Sequence, residues 1–447
     1  MTRKCLSWML SFLLCLTPAI VDAEDVKPAG AVKGHWPQWR GPNRDAVSAE
    51  TGLLQEWTEE GPPLLWRIKG LGKGYSTVTV ADGKIFTMGQ RGERTSLIAL
   101  DAANGQELWA TSVGMGDPKS TPNSTPNSTP TYDGGRVFAL GFDGALLCAE
   151  ADTGQEVWRK DLAKDFGGWV STECGFSESL LVDGNRLICT PGAQDAMLVA
   201  LHKRTGEVIW KAKLPDNVGQ EGQDGAGYAS IVVSQAGGIQ QYIQLVGRGL
   251  ISVSAKDGKT LWTYNRIANW GANVSTPVVR DNYVFSSTSY STGSSLLKLA
   301  PDGSGGVKYE EVYFLPHKVM QNHHGGMVLV KNHIYCGHGH NSGFPLCIEL
   351  KTGNVAWRPG RGPGTGSAAV LYADGHLYFR YENGLMALIE ATPERYVLKG
   401  TFKIPSNKGK SWPLPVIAGG RLYLRDQDEL LCYDVKIHRT RRQLEPR

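Results

Sequence analysis

Short apolar segments recur along the whole chain, and most are separated by tight polar turns. Each of five such segments leads into one phrase, in which a glycine stands four residues before a tryptophan. The five copies are "DAANGQELW" (101–109), "EADTGQEVW" (150–158), "HKRTGEVIW" (202–210), "SAKDGKTLW" (254–262) and "ELKTGNVAW" (349–357). Runs of four to eight apolar and β-branched residues bounded by Gly and Asp predict β-strands.

A second family of strands precedes each of these segments, for example "KIFTMG" (84–89) and "RVFALG" (136–141). The turns before them, such as "ADGK" and "DGGR", suit hairpins because Asp-Gly and Gly-Gly accept a positive φ. One unit therefore reads strand, tight turn, strand, loop, strand, glycine turn and strand. Its period of about 45–52 residues is that of a four-stranded propeller blade.

The pattern predicts a closed ring. Outer strands end near Trp109, Trp158, Trp210, Trp262, Tyr313, Trp357 and Phe402. The last unit (411–435) lacks an outer strand, and the segment "LLWRIKG" (64–70) carries a tryptophan without inner strands before it. We therefore predict an all-β, eight-bladed β-propeller of four-stranded antiparallel blades, in which strand 64–70 completes the last blade and removes the open sheet edge.

The repeat also assigns roles to its two marked residues. A tryptophan on the outer strand offers a flat apolar surface and one N–H donor, so it can dock on the adjoining blade. The repeated glycine takes the turn into that strand. The predicted docking residues are Trp66, Trp109, Trp158, Trp210, Trp262 and Trp357.

The ends of the chain predict export. Residues 1–23 carry Arg3 and Lys4 and then a short apolar run, which fits a secretory signal peptide cleaved near Ala23 and a periplasmic protein without a transmembrane segment. We divide the rest into a lead-in (24–60), the propeller (61–436) and a basic tail (437–447). The net charge of +4 includes no basic stripe, so nucleic acid is not an expected partner.

Two of the eight cysteines, Cys5 and Cys15, lie within the predicted signal peptide. Five of the other six occupy positions that resemble small buried core residues. Disulfides within single blades, Cys174–Cys189 or Cys336–Cys347, remain open alternatives in an exported protein.

The repeat resembles that of the PQQ-binding-like β-propeller superfamily, over about residues 60–436. The opening "HWPQWRGPNRDAVSAETGLL" (35–54) is similar to the lead-in of exported bacterial members, particularly planctomycete ones. The resemblance implies either a BamB-like propeller of outer-membrane protein assembly or a quinoprotein dehydrogenase.

Function is expected in the loops at one rim of the channel, where the inter-blade loops meet the loops between second and third strands. "QNHHGGM" (321–327) and "CGHGHNSG" (336–343) place four histidines there, which predicts a Zn or Cu site or an acid–base group. The candidate ligands are His323, His324, His338 and His340. Hydrogen bonding among polar rim residues is the alternative interpretation.

A second set on the rim of blades three to five could hold pyrroloquinoline quinone (PQQ) and Ca²⁺. The resemblance to quinoprotein dehydrogenases implies Glu173 and Asn273 as metal ligands. The other candidates are Trp169, Asp224 and Trp270. The adjacent cysteines typical of those dehydrogenases and a haem motif C-x-x-C-H are both absent from the sequence.

The sequence thus favours an exported binding or scaffold module, BamB-like, with protein partners at its rim loops, rather than an enzyme. The alternative is a periplasmic PQQ- and Ca-dependent dehydrogenase acting on a small alcohol or sugar. A metal-binding propeller built on the histidines is the third hypothesis.

Overall fold

The computed structural model describes residues 34–117, 125–406 and 409–438. The predicted signal peptide and nearly all of the basic tail lie outside these residues. The described chain forms eight sheets, each with four antiparallel strands in sequence order from the channel outward, except at the point of closure. This arrangement confirms the eight-bladed propeller.

The first four blades follow one another along the chain. Blade 1 contains Thr79–Ala81, Lys84–Arg91, Arg94–Asp101 and Glu107–Met115. Blade 2 contains Thr131–Asp133, Arg136–Leu140, Ala145–Glu150 and Glu156–Asp161. Blade 3 contains Leu181–Asp183, Arg186–Cys189, Leu198–His202 and Val208–Ala212. Blade 4 contains Val232–Ser234, Gln241–Val246, Gly249–Ser254 and Thr260–Tyr264. A short α-helix, Leu162–Phe166, follows blade 2, and a 3₁₀ turn, Ala236–Gly238, lies within blade 4.

The remaining blades complete the circle. Blade 5 contains Val278–Arg280, Tyr283–Thr288, Gly293–Pro301 and Val307–Pro316. Blade 6 contains Met327–Val330, His333–His338, Phe344–Glu349 and Val355–Trp357. Blade 7 contains Ala368–Ala373, His376–Tyr381, Leu385–Glu390 and Leu398–Lys403, with Val47–Ser48 added in parallel to its innermost strand. Blade 8 contains Val416–Ala418, Arg421–Asp426, Glu429–Asp434 and, as its outer strand, Leu64–Ile68.

Ring closure occurs as the sequence predicts. The strand Leu64–Ile68 runs antiparallel to Glu429–Asp434, with Trp66 opposite Cys432 and Arg67 opposite Leu431. The first and last strands of the propeller thus share one sheet, which leaves no open edge between the two ends of the ring.

Four of the six docking rings, those of Trp66, Trp109, Trp158 and Trp210, lie on the glycine turn of the next blade. A methyl group added to Gly154 would lie 2.5 Å from the Trp109 ring, and one added to Gly258 would lie 2.5 Å from Trp210. Four of the six tryptophans also donate their indole N–H to a backbone carbonyl of the next blade, at 2.8–3.3 Å: Trp109 to Ala151, Trp158 to Lys203, Trp210 to Ala255 and Trp357 to Thr392. The repeated phrase is therefore a blade-to-blade contact.

Closure follows the same rule at both joints. The Phe402 ring of blade 7 lies over Gly61, which precedes the outer strand of blade 8, and the Trp66 ring of blade 8 lies over Gly105 of blade 1. Trp262 departs from the pattern, because its N–H is donated to the Gln241 side chain of its own blade.

Hydroxyl groups join the blades where the innermost strands begin. The backbone N–H of Thr77 donates to the Thr129 hydroxyl, that of Thr129 to Ser179, that of Ser179 to Ser230 and that of Ser230 to Thr276. These distances are 2.9–3.2 Å. The Ser-Thr-Pro sequences at 128–130 and 275–277 thus supply inter-blade bonds around the channel.

The lead-in crosses the channel further along the innermost strands. Arg40 and Arg44 are only 1% and 4% exposed. The Arg44 guanidinium donates to the carbonyls of Ile231, Leu180 and Ser179, while Arg40 donates to Met327 O. Burial lowers the pKa of each arginine to about 10, well above neutral pH, so both stay charged. Hydrogen bonding to carbonyls of blades 3 and 4 compensates for the burial of Arg44, whereas Nε and Nη1 of Arg40 have no partner among the described residues.

The six cysteines of the described residues are all free thiols. Five are fully buried, which confirms their interpretation as core residues, and Cys174 is half-buried. Neither Cys174–Cys189 nor Cys336–Cys347 is a disulfide in this structure. Among the described residues, no helix has the length and hydrophobicity needed to span a membrane.

Candidate functional site

A cavity of about 280 Å³ opens at the mouth of the channel, where the innermost strands begin. Residues from all eight blade entrances line it, including Thr77, Ser179, Ser230, Thr276 and Ala369. Trp39 of the lead-in also lines it. Because the lead-in contacts the same innermost strands further along, at Val80, Met327 and Tyr372, the cavity is a cup closed by the lead-in and not an open channel.

One wall of the cavity is a continuous series of aromatic rings, which we name the aromatic wall: Tyr75, Trp412, His324, His323, His340 and Tyr290. The Tyr75 and Trp412 ring centroids lie 4.5 Å apart, and His324 stacks on Trp412 at 4.2 Å and 17°. His323 then lies 3.7 Å from His324 and 4.3 Å from His340. Loops that enter blades 1, 8 and 6 and leave the second strands of blades 5 and 6 thus meet at one place.

Two of the three histidines of this wall, His323 and His324, are held neutral. Burial lowers the pKa of His323 to about 3, with a further contribution from His340, and burial also lowers the pKa of His324 well below its usual range. The two nitrogens of His323 lie 2.9 Å from the Ser367 hydroxyl and 3.4 Å from the Tyr290 hydroxyl. Neutral imidazoles can donate and accept hydrogen bonds but do not supply positive charge.

Hydroxyl and amide groups form the opposite wall. The oxygens of Ser179, Ser230 and Thr276 each accept a backbone N–H from the adjoining blade. Tyr228 lies beside Cys174, whose backbone N–H donates to the Tyr228 hydroxyl at 3.1 Å. Burial raises the pKa of the Cys174 thiol, so this cysteine is not an activated nucleophile.

Charge in the cavity is sparse. Among the described residues that line it, Lys410 is the one Lys or Arg, and no Asp or Glu lines it. The Lys410 ammonium lies 4.7 Å from the centroid of the Trp412 ring. Cation–π contact of this kind holds the ammonium at the cavity mouth.

The predicted histidine cluster is brought together in part. His323, His324 and His340 are in mutual contact, whereas His338 lies outside the cavity lining and accepts the backbone N–H of Gln321 at 3.2 Å. Burial lowers the pKa of His338 to about 4. Within residues 34–117, 125–406 and 409–438, no three or more His, Cys, Asp or Glu side chains have an arrangement that could hold a metal ion.

The residues predicted to hold PQQ and Ca²⁺ are not brought together. Glu173 is exposed and lies outside the cavity, and Asp224 forms an ion pair with Arg248 at 2.6 Å. Asn273 is buried, but its amide is occupied by Gly247 O and by Asn269. The exposed side chains of Trp169 and Trp270 also lie outside the lining.

The cavity therefore does not fit a quinone held by Ca²⁺. Calcium takes six to eight oxygen ligands, among which carboxylates are prominent. Among the described residues, the cavity lining contains no carboxylate. Lys410 is the one Lys or Arg in this part of the lining, which leaves several carboxylates of a quinone ligand without a cation.

Sequence reasoning missed Tyr75, Lys410, Trp412 and the cavity floor at Trp39. The available signal was aromatic residues in the loops that begin some blades: "GYSTV" (74–78), "GYASI" (227–231) and "KSWPLP" (410–415) carry a large aromatic residue, whereas blades 2 and 5 begin with "PNSTP" (126–130) and "NVSTP" (273–277). Residues that break a repeat at the functional rim are candidates for the site.

Two aromatic side chains project from the rim beside the cavity, and we name them the rim aromatics: Trp169 and Trp270 are 46% and 60% exposed. Their loops are tied together, because Ala226 N donates to Trp169 O and the Gln223 side chain donates to Trp270 O. Tyr290 has a φ of 55°, a conformation that bulky residues rarely adopt outside functional or strained turns.

Comparisons with known proteins agree with this fold. A family model described as outer membrane protein assembly factor BamB matches residues 93–359. BamB of Shewanella oneidensis is 24% identical over 272 residues, which are 59% of this chain and 62% of that protein. BamB of Nitrosomonas eutropha is 23% identical over 238 residues, 51% of this chain and 49% of that protein. The matched regions thus span about half to three fifths of these relatives.

Solved structures show the same architecture. BamB from Moraxella catarrhalis has a TM-score of 0.57 and 13% identity, covering 84% of this chain and 98% of that one. A quinohemoprotein alcohol dehydrogenase from Comamonas testosteroni has a TM-score of 0.62 and 12% identity, covering 92% of this chain and 82% of that one. At such low identity these structures establish the propeller fold and nothing about chemistry.

Proposed function

Because the chain belongs to the family described as outer membrane protein assembly factor BamB, we propose that it is a periplasmic scaffold that binds a protein partner during outer-membrane protein assembly. The proposal includes export by the N-terminal segment, as the sequence predicts, and docking at the rim of blades 3–5. It assigns no catalytic step to the propeller.

The rim aromatics are the observation that carries this proposal. Trp169 exposes nearly half of its surface and Trp270 exposes more than half, although neither takes part in blade docking. Aromatic side chains are enriched at the energetic centres of protein interfaces, because they bury a large area at low entropic cost. The hydrogen bonds at Ala226 and Gln223 hold these loops in place before a partner arrives.

The dehydrogenase alternative is not favoured by any observation at the cavity. Glu173 and Asn273 would have to leave their present positions to bind a metal, and Asn273 would have to give up its bonds to Gly247 and Asn269. Such rearrangement of a buried, satisfied amide is costly.

The test is genetic and biochemical. In the native bacterium, deletion of the gene should lower the abundance of integral outer-membrane β-barrel proteins, measured by quantitative mass spectrometry of the envelope. The wild-type gene should restore them, and a Trp169→Ala/Trp270→Ala double variant should not.

The matched control is Val208→Ala/Ile209→Ala, which removes two exposed apolar side chains, 43% and 41% accessible, from the outer strand of blade 3. This variant should restore barrel proteins fully. Unchanged barrel-protein levels in the deletion strain would refute the assembly role, and equal rescue by both double variants would refute docking at the rim aromatics.

A further inference from the structure

Beyond the scaffold role, we propose that the axial cavity binds a sugar acid: a single hydroxylated ring that carries one carboxylate. The proposal rests on the shape, hydrogen-bonding groups and charge of the cavity. It does not depend on whether the rim aromatics bind a protein.

The cavity has the size and enclosure of a small-ligand site. Its volume of about 280 Å³ lies at the small end of pockets for organic ligands, which are roughly 300–1,000 Å³, so it suits one or two rings. Trp39 of the lead-in closes the far side. A ligand therefore enters and leaves through the rim alone.

The wall opposite the aromatic wall offers hydrogen-bond donors that nothing in the described structure uses. Ser179, Ser230 and Thr276 each accept one backbone N–H. None of these hydroxyls donates its own hydrogen to another described residue. Because these oxygens are held in place, their O–H groups form a row that can donate hydrogen bonds to the oxygens of a ligand. This row arises directly from the inter-blade bonds, so it is preorganised.

A buried acceptor lies at the edge of the same space. Asn127 lines the cavity and donates its amide N–H to the Ser177 hydroxyl at 3.0 Å, whereas its buried carbonyl oxygen has no hydrogen-bond partner among the described residues. A buried polar atom without a partner is energetically unfavourable. Ligand hydroxyls, which both donate and accept, can satisfy Asn127 and the O–H row together.

Charge selects an acid over a neutral sugar. Among the described residues of the lining, Lys410 is the one Lys or Arg, and no carboxylate lies there to repel an anion. The lowered pKa values of His323 and His324 keep these rings neutral. One ammonium at the mouth matches one carboxylate. The aromatic wall then supplies apolar contact for the C–H groups of the ring.

Isothermal titration calorimetry of the full mature chain tests the proposal with three probes. Galacturonate carries both the ring hydroxyls and the carboxylate, galactose carries only the hydroxyls, and benzoate carries only a ring and a carboxylate. We expect galacturonate to bind more tightly than either of the other two, and more weakly as salt is raised.

Two lysine variants localise the charge. Lys410→Gln should weaken galacturonate binding about tenfold, the value of roughly one charge-assisted hydrogen bond, and leave galactose unchanged. Lys351→Gln is the matched control, because Lys351 also lies over an aromatic ring, at 5.8 Å from Tyr283, but does not line the cavity. It should change nothing.

Asn127→Leu provides a second, uncharged test. Thermal unfolding first establishes that the variant folds, and the variant should then lose affinity for both galacturonate and galactose. No heat with galacturonate at millimolar concentration, equal affinity for galacturonate and benzoate, or an unchanged affinity in Lys410→Gln would each overturn the proposal. The barrel-protein assay separates this outcome from failure of the scaffold role.

Discussion

The chain uses large aromatic residues in two regions, the blade-docking tryptophans and the aromatic wall, and the two differ in every respect but residue type. Trp109 and Trp158 sit on outer strands, repeat with the blade, and donate to a carbonyl of the next blade. Trp412 and Tyr75 sit at the channel mouth, and the residue type at their position varies from blade to blade. Trp412 contacts Tyr75 of the adjoining blade 1 and His324 of the more distant blade 6.

The difference separates stability from function. A repeated contact stabilises one interface between neighbours, so its loss weakens a ring that many similar contacts hold together. A contact that is absent from most blades cannot stabilise every blade interface. Such contacts are found where loops from many blades converge. Four predictions test this division, from the largest expected effect to the smallest.

Trp210→Ala should give the largest loss of stability. Trp210 is 7% exposed, stacks near Tyr242 and covers Gly258, and deletion of a buried tryptophan costs about 3–5 kcal/mol. Denaturant unfolding measures the change. Trp412→Ala, which is only half-buried, should cost less stability but abolish ligand binding; an equal stability loss in both variants would contradict the comparison.

Gly258→Ala should destabilise more than Gly83→Ala, although both glycines have a φ of 73°. Placing alanine at this φ costs about 1–2 kcal/mol at either site. At Gly258 the new methyl group would also lie 2.5 Å from the Trp210 ring, while at Gly83 it would meet nothing within 4 Å. Urea unfolding of the two variants should differ by a further 1–3 kcal/mol, approximately the cost of overpacking. Equal losses would show that the glycine serves the turn alone.

His323→Asn should reduce the acid sensitivity of the fold. The pKa of His323 is lowered to about 3, so between pH 6.5 and 3 the unfolded chain binds more protons and stability falls as pH falls. Between pH 6.5 and 5 the wild type should therefore lose about 2 kcal/mol more than the variant. Unfolding at the two pH values measures the difference, and buried acids such as Glu178 cancel because both proteins carry them. Parallel pH profiles would show that His323 is not desolvated.

Trp158→Phe should destabilise by about 1 kcal/mol more than Trp66→Phe, the net value of one hydrogen bond. The Trp158 indole donates to Lys203 O at 3.1 Å, whereas the buried Trp66 N–H has no partner among the described residues. Both changes remove similar ring area, so the difference isolates the bond. A larger loss for Trp66→Phe would mean that area and not hydrogen bonding dominates the docking contact.

The sequence predicted much of the candidate site's location and little of its composition. Its repeat placed His323, His324 and His340 at one rim, and the structure brings them together. The same reasoning grouped His338 with them, but His338 accepts the N–H of Gln321 outside the cavity. Residue type alone also suggested Glu173 and Asn273, which the loops orient away from any shared ligand.

The sequence by itself determined the number of blades, the position of ring closure and the docking residues. These features depend on contacts within one blade or between neighbours, which recur at a fixed period and so leave a readable pattern. Tertiary structure alone decided that Tyr75, Trp412 and His324 form one wall, and that the lead-in closes the cavity at Trp39. Those contacts join residues that are far apart in the sequence, and their geometry depends on irregular loops that meet only after the ring has closed.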